Sequence, residues 1–255
     1  MFWGEAWEIS GVWQAFLASL LAGLASGLGG LGAVALPYLP RRVYDALLGF
    51  SAGVMLGAAA LTLFWPALEQ GSVAAETLGA LAGGGMILFL DRFVPHLEPH
   101  FLPSLPQGEN GRVGTLLLAA MALHNLPEGL AVGVAYGSGE ANFGLVVALA
   151  VAAQNVPEGM AVALPLRARG ASRGAAVLWA TGSGLVEPVA AAVGYHCVSR
   201  VESVVPFALA LAAGAMVFVV SDQLIPECRR VPEDKAPSVA LLAGFVLVGV
   251  LLRWL

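Results

Sequence analysis

"TLLLAAMALHNLPEGLAVGVAYG", residues 115–137, is long and apolar enough to cross a bilayer, yet a histidine, an asparagine and a glutamate lie near its middle. A transmembrane helix needs about 20 mostly apolar residues. Ionisable groups at the bilayer centre are energetically costly and usually mark a functional site. The segment therefore predicts a membrane helix that contains part of a functional site.

The composition indicates a polytopic membrane protein. Of the 255 residues, 58% are hydrophobic and 11% are charged, and the mean hydropathy is +0.82. Soluble domains carry about 25% charged residues. The chain has no basic cluster larger than two or three residues, so we do not expect nucleic acid as a partner. The lipid bilayer is the expected surrounding.

Hydropathy predicts an all-α membrane protein with eight transmembrane helices in one domain over residues 1–255. The predicted spans lie near residues 11–36, 44–69, 73–93, 113–137, 141–166, 172–196, 203–227 and 237–254. We interpret the connection 94–112, which holds His96 and His100, as an irregular inner loop.

The arginines and lysines predict the orientation of these spans. With the N-terminus outside, ten of the 12 basic residues fall on inner segments and only Arg200 and Arg253 fall on outer ones. Cytoplasmic loops carry an excess of Lys and Arg. Both termini are therefore expected outside the membrane.

The opening stretch is repeated once. Residues 124–134 (HNLPEGLAVGV) and 154–164 (QNVPEGMAVAL) are identical at six of eleven positions. The copies are offset by one span and a short loop, so their helices cross in opposite directions. Inverted repeats of this kind place transporter binding sites near the bilayer midplane.

Glu128, Glu158 and Glu187 fall near the centres of their spans, where no Lys or Arg lies to pair with them. Buried carboxylates without a basic partner must be protonated or share a cation. His124 and Asn125 precede Glu128 by four and three residues, so all three neighbour one another on a helix. Imidazole suits zinc, iron, copper and nickel, whereas oxygen ligands suit harder ions such as manganese.

Some of the candidate residues also have interpretations that involve no metal. Met55, in span 2, adds a thioether, but methionine usually only fills gaps in packing. Asn125 and Asn155 are also suited to capping broken helices, and His96 and His100 to a solvated loop.

Two other functions compete with metal transport. An intramembrane metalloprotease would show the motif HExxH, but residue 125 is asparagine. A cation channel would present rings of like side chains from several subunits, and slow channel-like leakage stays open as an alternative.

The paired motifs HNLPEG and QNVPEG, followed by GSGLVEP at 182–188, resemble the ZIP (Zrt-, Irt-like) family of divalent metal transporters. Gln154 and the short inner loop resemble its bacterial GufA-like branch. The resemblance implies eight helices in a bacterial cytoplasmic (inner) membrane, inverted repeats, no catalytic cofactor, and often a homodimer. It implies transport of zinc, and also cadmium, iron or manganese, toward the cytoplasm as spans 1, 4, 5 and 6 move against the rest.

The resemblance also implies a binuclear metal centre. One metal would be held by Met55, His124, Glu128 and Glu158, and the second by Asn125, Gln154, Asn155, Glu187 and the same two glutamates. Many members carry histidine at the position of Gln154, so we expect the second site to bind differently here. Asp222 stands with Gln223 where relatives often have paired acids, and Asp222, His96 and His100 are the candidate exit-pathway residues.

Overall fold

The computed structural model describes residues 2–36, 39–93, 105–106, 108–231 and 233–254, with only the backbone described at 2–9, 202 and 254. Within these residues the chain is helical without β-strands, and eight helices are long and apolar enough to cross a membrane. They are α1 (Phe2–Ala35), α2 (Arg41–Gln70), α3 (Val73–Asp91), α4 (Glu109–Gly137), α5 (Ala141–Ala168), α6 (Arg173–Val198), α7 (Val205–Cys228) and α8 (Ala236–Trp254). The predicted all-α fold with eight spans is confirmed.

The largest difference from the predicted boundaries lies at the start of α1, which begins at Phe2 instead of near residue 11, and the next largest lies at the start of α4. This helix begins at Glu109, inside the segment that we interpreted as loop as far as residue 112. Gly108 precedes it with a φ of 77°, a left-handed conformation that favours glycine. His96 and His100 lie outside the described residues, so the structure does not bear on them.

Two spans contain a π-helical segment close to a proline. Ala58–Phe64 in α2 is followed two residues later by Pro66, and Val220–Leu224 in α7 is followed two residues later by Pro226. Proline donates no backbone hydrogen bond and its ring crowds the preceding turn, so the helix widens there. By contrast, α4 and α5 remain α-helical through Pro127 and Pro157.

The helices form two groups. The first group consists of α1, α4, α5 and α6, and the second of α2, α3, α7 and α8; the strongest packing pairs α1 with α5, α4 with α6, α2 with α8 and α3 with α7. The groups meet mainly where α2 contacts α5 and where α4 contacts α7. The candidate ligands lie at this boundary.

Glycines let backbones approach closely inside each group. A Cβ atom added to Gly159 of α5 would lie 2.6 Å from the carbonyl carbon of Ser26 in α1. One added to Gly53 of α2 would lie 2.7 Å from that of Leu241 in α8. Among the described residues, no glycine brings a backbone of the first group into such contact with one of the second.

Candidate metal centre

Helices α4 and α5 bring the two copies of the repeated motif together. The turn at 138–140 joins them directly, so the helices run antiparallel and both motifs meet inside the protein. His124, Asn125 and Glu128 of α4 and Gln154, Asn155 and Glu158 of α5 are each at most 1% exposed. Both faces predicted to carry polar residues therefore point to one buried centre.

His124 faces both glutamates. Its Nε2 atom lies 3.9 Å from Oε1 of Glu128 and 3.8 Å from Oε1 of Glu158. One ligand atom from each of the three side chains lies within 4.8 Å of the others. Tetrahedral zinc, with bonds of about 2.0–2.1 Å, separates its ligand atoms by roughly 3.3 Å. Small side-chain adjustments would bring the three atoms to that separation.

Glu187 is placed by a break in α6. This span is α-helical over Arg173–Gly184 and again over Val186–Val198, so Glu187 lies in the first turn of the second half. Gly129 lets α6 approach α4 here, because a Cβ atom on it would lie 2.7 Å from Cα of Glu187. Glu187 is fully buried and its Oε1 accepts a 2.8 Å hydrogen bond from Nδ2 of Asn155. Glu187, the third buried carboxylate, is thus hydrogen-bonded to a residue of the second copy of the motif.

The two asparagines use their amino groups on backbone carbonyls. Asn125 donates to the carbonyl of Ser183 at the break in α6, and Asn155 donates to that of Ala22 in α1, each over 2.8 Å. The Asn125 amino group thus caps a break in another span and not one in its own helix. The Oδ1 atoms of both residues have no hydrogen-bond partner among the described residues. Each asparagine can therefore donate to a backbone carbonyl with its Nδ2 atom and bind a cation with its Oδ1 atom.

Several other buried polar atoms at this centre also lack hydrogen-bond partners within the described chain. They are Nε2 of His124, Nε2 and Oε1 of Gln154, both carboxylate oxygens of Glu128, and one oxygen each of Glu158 and Glu187. Buried polar groups in proteins are nearly always hydrogen-bonded, and each exception calls for an explanation. Of these side chains, His124, Glu128 and Glu158 lie close enough together to share one bound cation.

Two residues of the second group contact the centre. Oγ of Ser51 in α2 donates to Oε1 of Glu158 over 2.6 Å, and Oε1 of Gln223 in α7 lies 3.4 Å from Nδ1 of His124. Sequence reasoning did not single out Ser51, although it stands one helical turn before Met55. Met55 is itself fully buried in α2.

A cavity of about 870 Å³ leads away from the centre. His124 and Gln223 line it, and so do Arg41, Arg169 and Arg230 near the ends of their helices. A cavity of about 200 Å³ at the other end, lined by Gln14, Tyr136 and Tyr195 among others, includes none of the candidate ligands. The centre is therefore reached from the arginine-rich side.

The side chain of Asp222 is exposed on the protein surface and does not line this cavity. Gln223 and Glu227 line it instead, because the π-helical segment that holds Asp222 turns Gln223 toward His124. As far as the described residues go, the cavity does not include the exit-pathway residue named from the sequence. That role stays a prediction for Asp222.

Two further buried carboxylates were not predicted from the sequence, because they lie near the ends of spans. Asp45 is 3% exposed and pairs with Arg41, whose Nε lies 2.7 Å from its Oδ1. Glu76 is 2% exposed, in the first turn of α3. Asp45 follows Arg41 at a helical spacing of four, a signal that would have predicted the pair.

Comparison with known proteins agrees with this geometry. The family model described as ZIP Zinc transporter matches residues 106–252. The zinc transporter GufA of Myxococcus xanthus is 40% identical over 250 residues, which cover 92% of this chain and 96% of that protein. The zinc transporter ZIPB of Bordetella bronchiseptica is 41% identical over 240 residues, covering 88% of this chain and 75% of that protein. Eight spans, two inverted motifs and these relatives together place the chain in the ZIP family.

Proposed function

We propose that this protein carries divalent transition-metal ions, zinc first, across a membrane. The single observation that carries the proposal is the convergence of His124, Glu128 and Glu158, fully buried among atoms without hydrogen-bond partners. The relatives named as zinc transporters support zinc as the cargo. Cadmium, iron and manganese are further candidates, because the centre mixes imidazole with many oxygens.

The ligands divide into two adjacent sites. His124, Glu128, Glu158 and Met55 would hold one ion. Asn125, Gln154, Asn155 and Glu187 would hold a second with the same two glutamates, which then bridge the pair. The free oxygens of Glu128, Asn125 and Asn155 support this arrangement. Gln154 makes the second site richer in oxygen and we propose that it binds zinc more weakly than a histidine would.

We place the arginine-rich side in the cytoplasm, with both termini outside and the protein in the bacterial cytoplasmic membrane. The excess of basic residues on inner segments supports this orientation. The cavity on that side then makes the structure inward-open, and metal moves toward the cytoplasm. Residues 1–255 act as one transporter domain, and a homodimer is part of the proposal.

Movement of the first group of helices against the second would expose the centre to each side in turn. Close glycine contacts hold each group together, whereas none joins the two groups in the described residues. The boundary is therefore the plane along which sliding disrupts the least backbone packing. Because the ligands of α4, α5 and α6 belong to one group, the ion would travel with it.

An enzyme and an open channel are less well supported. The chain has no HExxH motif to supply a general base beside a zinc-binding histidine. The carboxylates converge within one chain, and the cavity described at the other end of the molecule includes none of the candidate ligands. Both features favour a carrier.

Glu128→Gln tests the proposal because it keeps the shape of the side chain and removes the charge shared by both sites. We expect zinc uptake into proteoliposomes to fall to the level of empty liposomes, while the protein is still inserted and folded. Glu140→Gln is the matched control, since Glu140 is exposed at the start of α5 and should leave uptake unchanged. Uptake by Glu128→Gln at the wild-type rate would remove the site assignment.

A further inference from the structure

Two side-chain contacts at the centre cross the boundary between the two groups of helices. The shorter is the 2.6 Å hydrogen bond from Oγ of Ser51, in α2, to Oε1 of Glu158, in α5. Ser51 is 0% exposed and Glu158 is 1% exposed, so water does not compete for this bond. A hydroxyl of the second group thus holds a candidate ligand of the first.

The carboxylate oxygen involved is the one that faces His124. Oε1 of Glu158 accepts from Ser51 and lies 3.8 Å from Nε2 of His124, whereas Oε2 has no hydrogen-bond partner in the described part of the chain. A carboxylate oxygen has two lone pairs, so Oε1 can accept a hydrogen bond from a hydroxyl and bind a cation at the same time. Metal-ligating carboxylates are usually oriented in this way, and losing the orienting partner typically costs 10–100-fold in metal affinity.

We propose that Ser51 is a positioning residue for Glu158, and that it acts only while the two groups of helices have their present alignment. Sliding of the first group would carry Glu158 away from Ser51, because the two residues belong to different groups. The affinity for metal is thereby linked to the position of the groups. A bond present in only one arrangement also favours that arrangement. This inference rests on the proposed metal-transport function.

Zinc binding to the purified protein gives the first test. We expect Ser51→Ala to raise the zinc Kd about tenfold, the lower end of the effect of an orienting partner. Ser19→Ala is the matched control, since Ser19 is also 0% exposed and its hydroxyl has no hydrogen-bond partner among the residues that the structure describes. If Ser51→Ala binds zinc within twofold of the wild type, the positioning role is wrong. If the wild type itself binds no zinc, it is the proposed function that fails.

Labelling of the cavity gives the second test and needs no metal. In a chain with Cys197→Ser and Cys228→Ser, Leu117→Cys places a thiol on the lining of the large cavity. We expect Ser51→Ala to slow its reaction with a water-soluble maleimide severalfold, because the inward-open arrangement loses a stabilising bond.

The labelling effect must also depend on Glu158. In a Glu158→Ala background, where the acceptor is gone, Ser51→Ala should cause no further change in the labelling rate. A purely structural role of Ser51 would slow labelling equally in both backgrounds, and that result would overturn the inference. No effect of Ser51→Ala in either background would overturn it as well.

Discussion

Several side chains at the centre perform two tasks each. One polar atom makes a contact within the protein, and another is left to bind a cation. Asn125 and Asn155 satisfy carbonyls with their amino groups and leave their oxygens free. His124 has Nδ1 near Gln223 and Nε2 toward the glutamates. Metal-ligating histidines commonly use their second nitrogen on an oxygen in this way, which fixes the ring orientation. The polar atoms that do not bind the cation therefore hold in place the ones that would.

Protons should compete with metal for this centre. Zinc requires a deprotonated imidazole and ionised carboxylates, so binding releases protons and lower pH weakens it. We expect the zinc Kd to rise about tenfold per pH unit between pH 7.5 and 5.5 if one proton is released per ion. Calorimetry in two buffers of different ionisation enthalpy counts the protons.

The Glu140→Gln variant should follow the same pH dependence as the wild type, because the exposed Glu140 is remote from the centre along the helix. A Kd that is constant over this pH range, with no proton release, would contradict the competition.

At the scale of the helices, irregular turns place the ligands and their neighbours. The break between the two halves of α6 leaves a carbonyl at Ser183 that Asn125 caps, and it positions Glu187 in the next turn. The π-helical segment of α7 directs Gln223 to His124. Regular helices with the same hydropathy would have presented other residues at the centre.

Close packing of helix pairs can be tested with two glycines of one helix. A Cβ atom on Gly83 would lie 2.8 Å from the carbonyl carbon of Leu211 in α7, whereas one on Gly85 would meet nothing within 4 Å. Overpacking a tight contact typically costs 1–3 kcal/mol. We therefore expect Gly83→Ala to lower the melting temperature of the metal-free protein.

Gly85→Ala should be neutral or slightly stabilising, since alanine favours a helix by about 1 kcal/mol over glycine. Equal melting temperatures for the two variants would show that α3 and α7 are not packed as closely as described.

For the whole molecule, the distribution of charge and of buried surface indicates how the chain sits in a membrane. Helices α3 and α8 bury the smallest share of their residues and expose many leucines, valines and phenylalanines. Arginines line the mouth of the large cavity, where Arg41 and Arg230 both pair with Glu227. The apolar flanks fit a surrounding bilayer, and the basic end supports the proposal that this end faces the cytoplasm.

The native cysteines report on this orientation, because they lie at opposite ends of the molecule. Cys197 is exposed near the end of α6, and Cys228 is buried at the end of α7. We expect a membrane-impermeant maleimide to label intact cells at Cys197 from outside. The label should disappear in Cys197→Ser, and Cys228 should stay unlabelled. Labelling of Cys197 only after the cells are lysed would reverse the proposed orientation.

The sequence by itself determined the eight membrane helices, because a run of apolar residues can lower its free energy in lipid only as a helix. It also determined His124, Glu128 and Glu158 as the core of the candidate site. Their spacing places two of them on one helical face, and the repeated motif supplies the third from an antiparallel neighbour. Boundaries such as the start of α4 were less well predicted, since they depend on the local turn at Gly108.

Only the tertiary structure decided which residues from distant parts of the chain complete the centre. Ser51 is 107 residues away from Glu158, and Gln223 is 99 residues away from His124. Their contacts depend on the rotation and depth of α2 and α7, which π-helical turns and glycine contacts set. Local spacing carries no information on either quantity, because both arise from the packing of whole helices against one another.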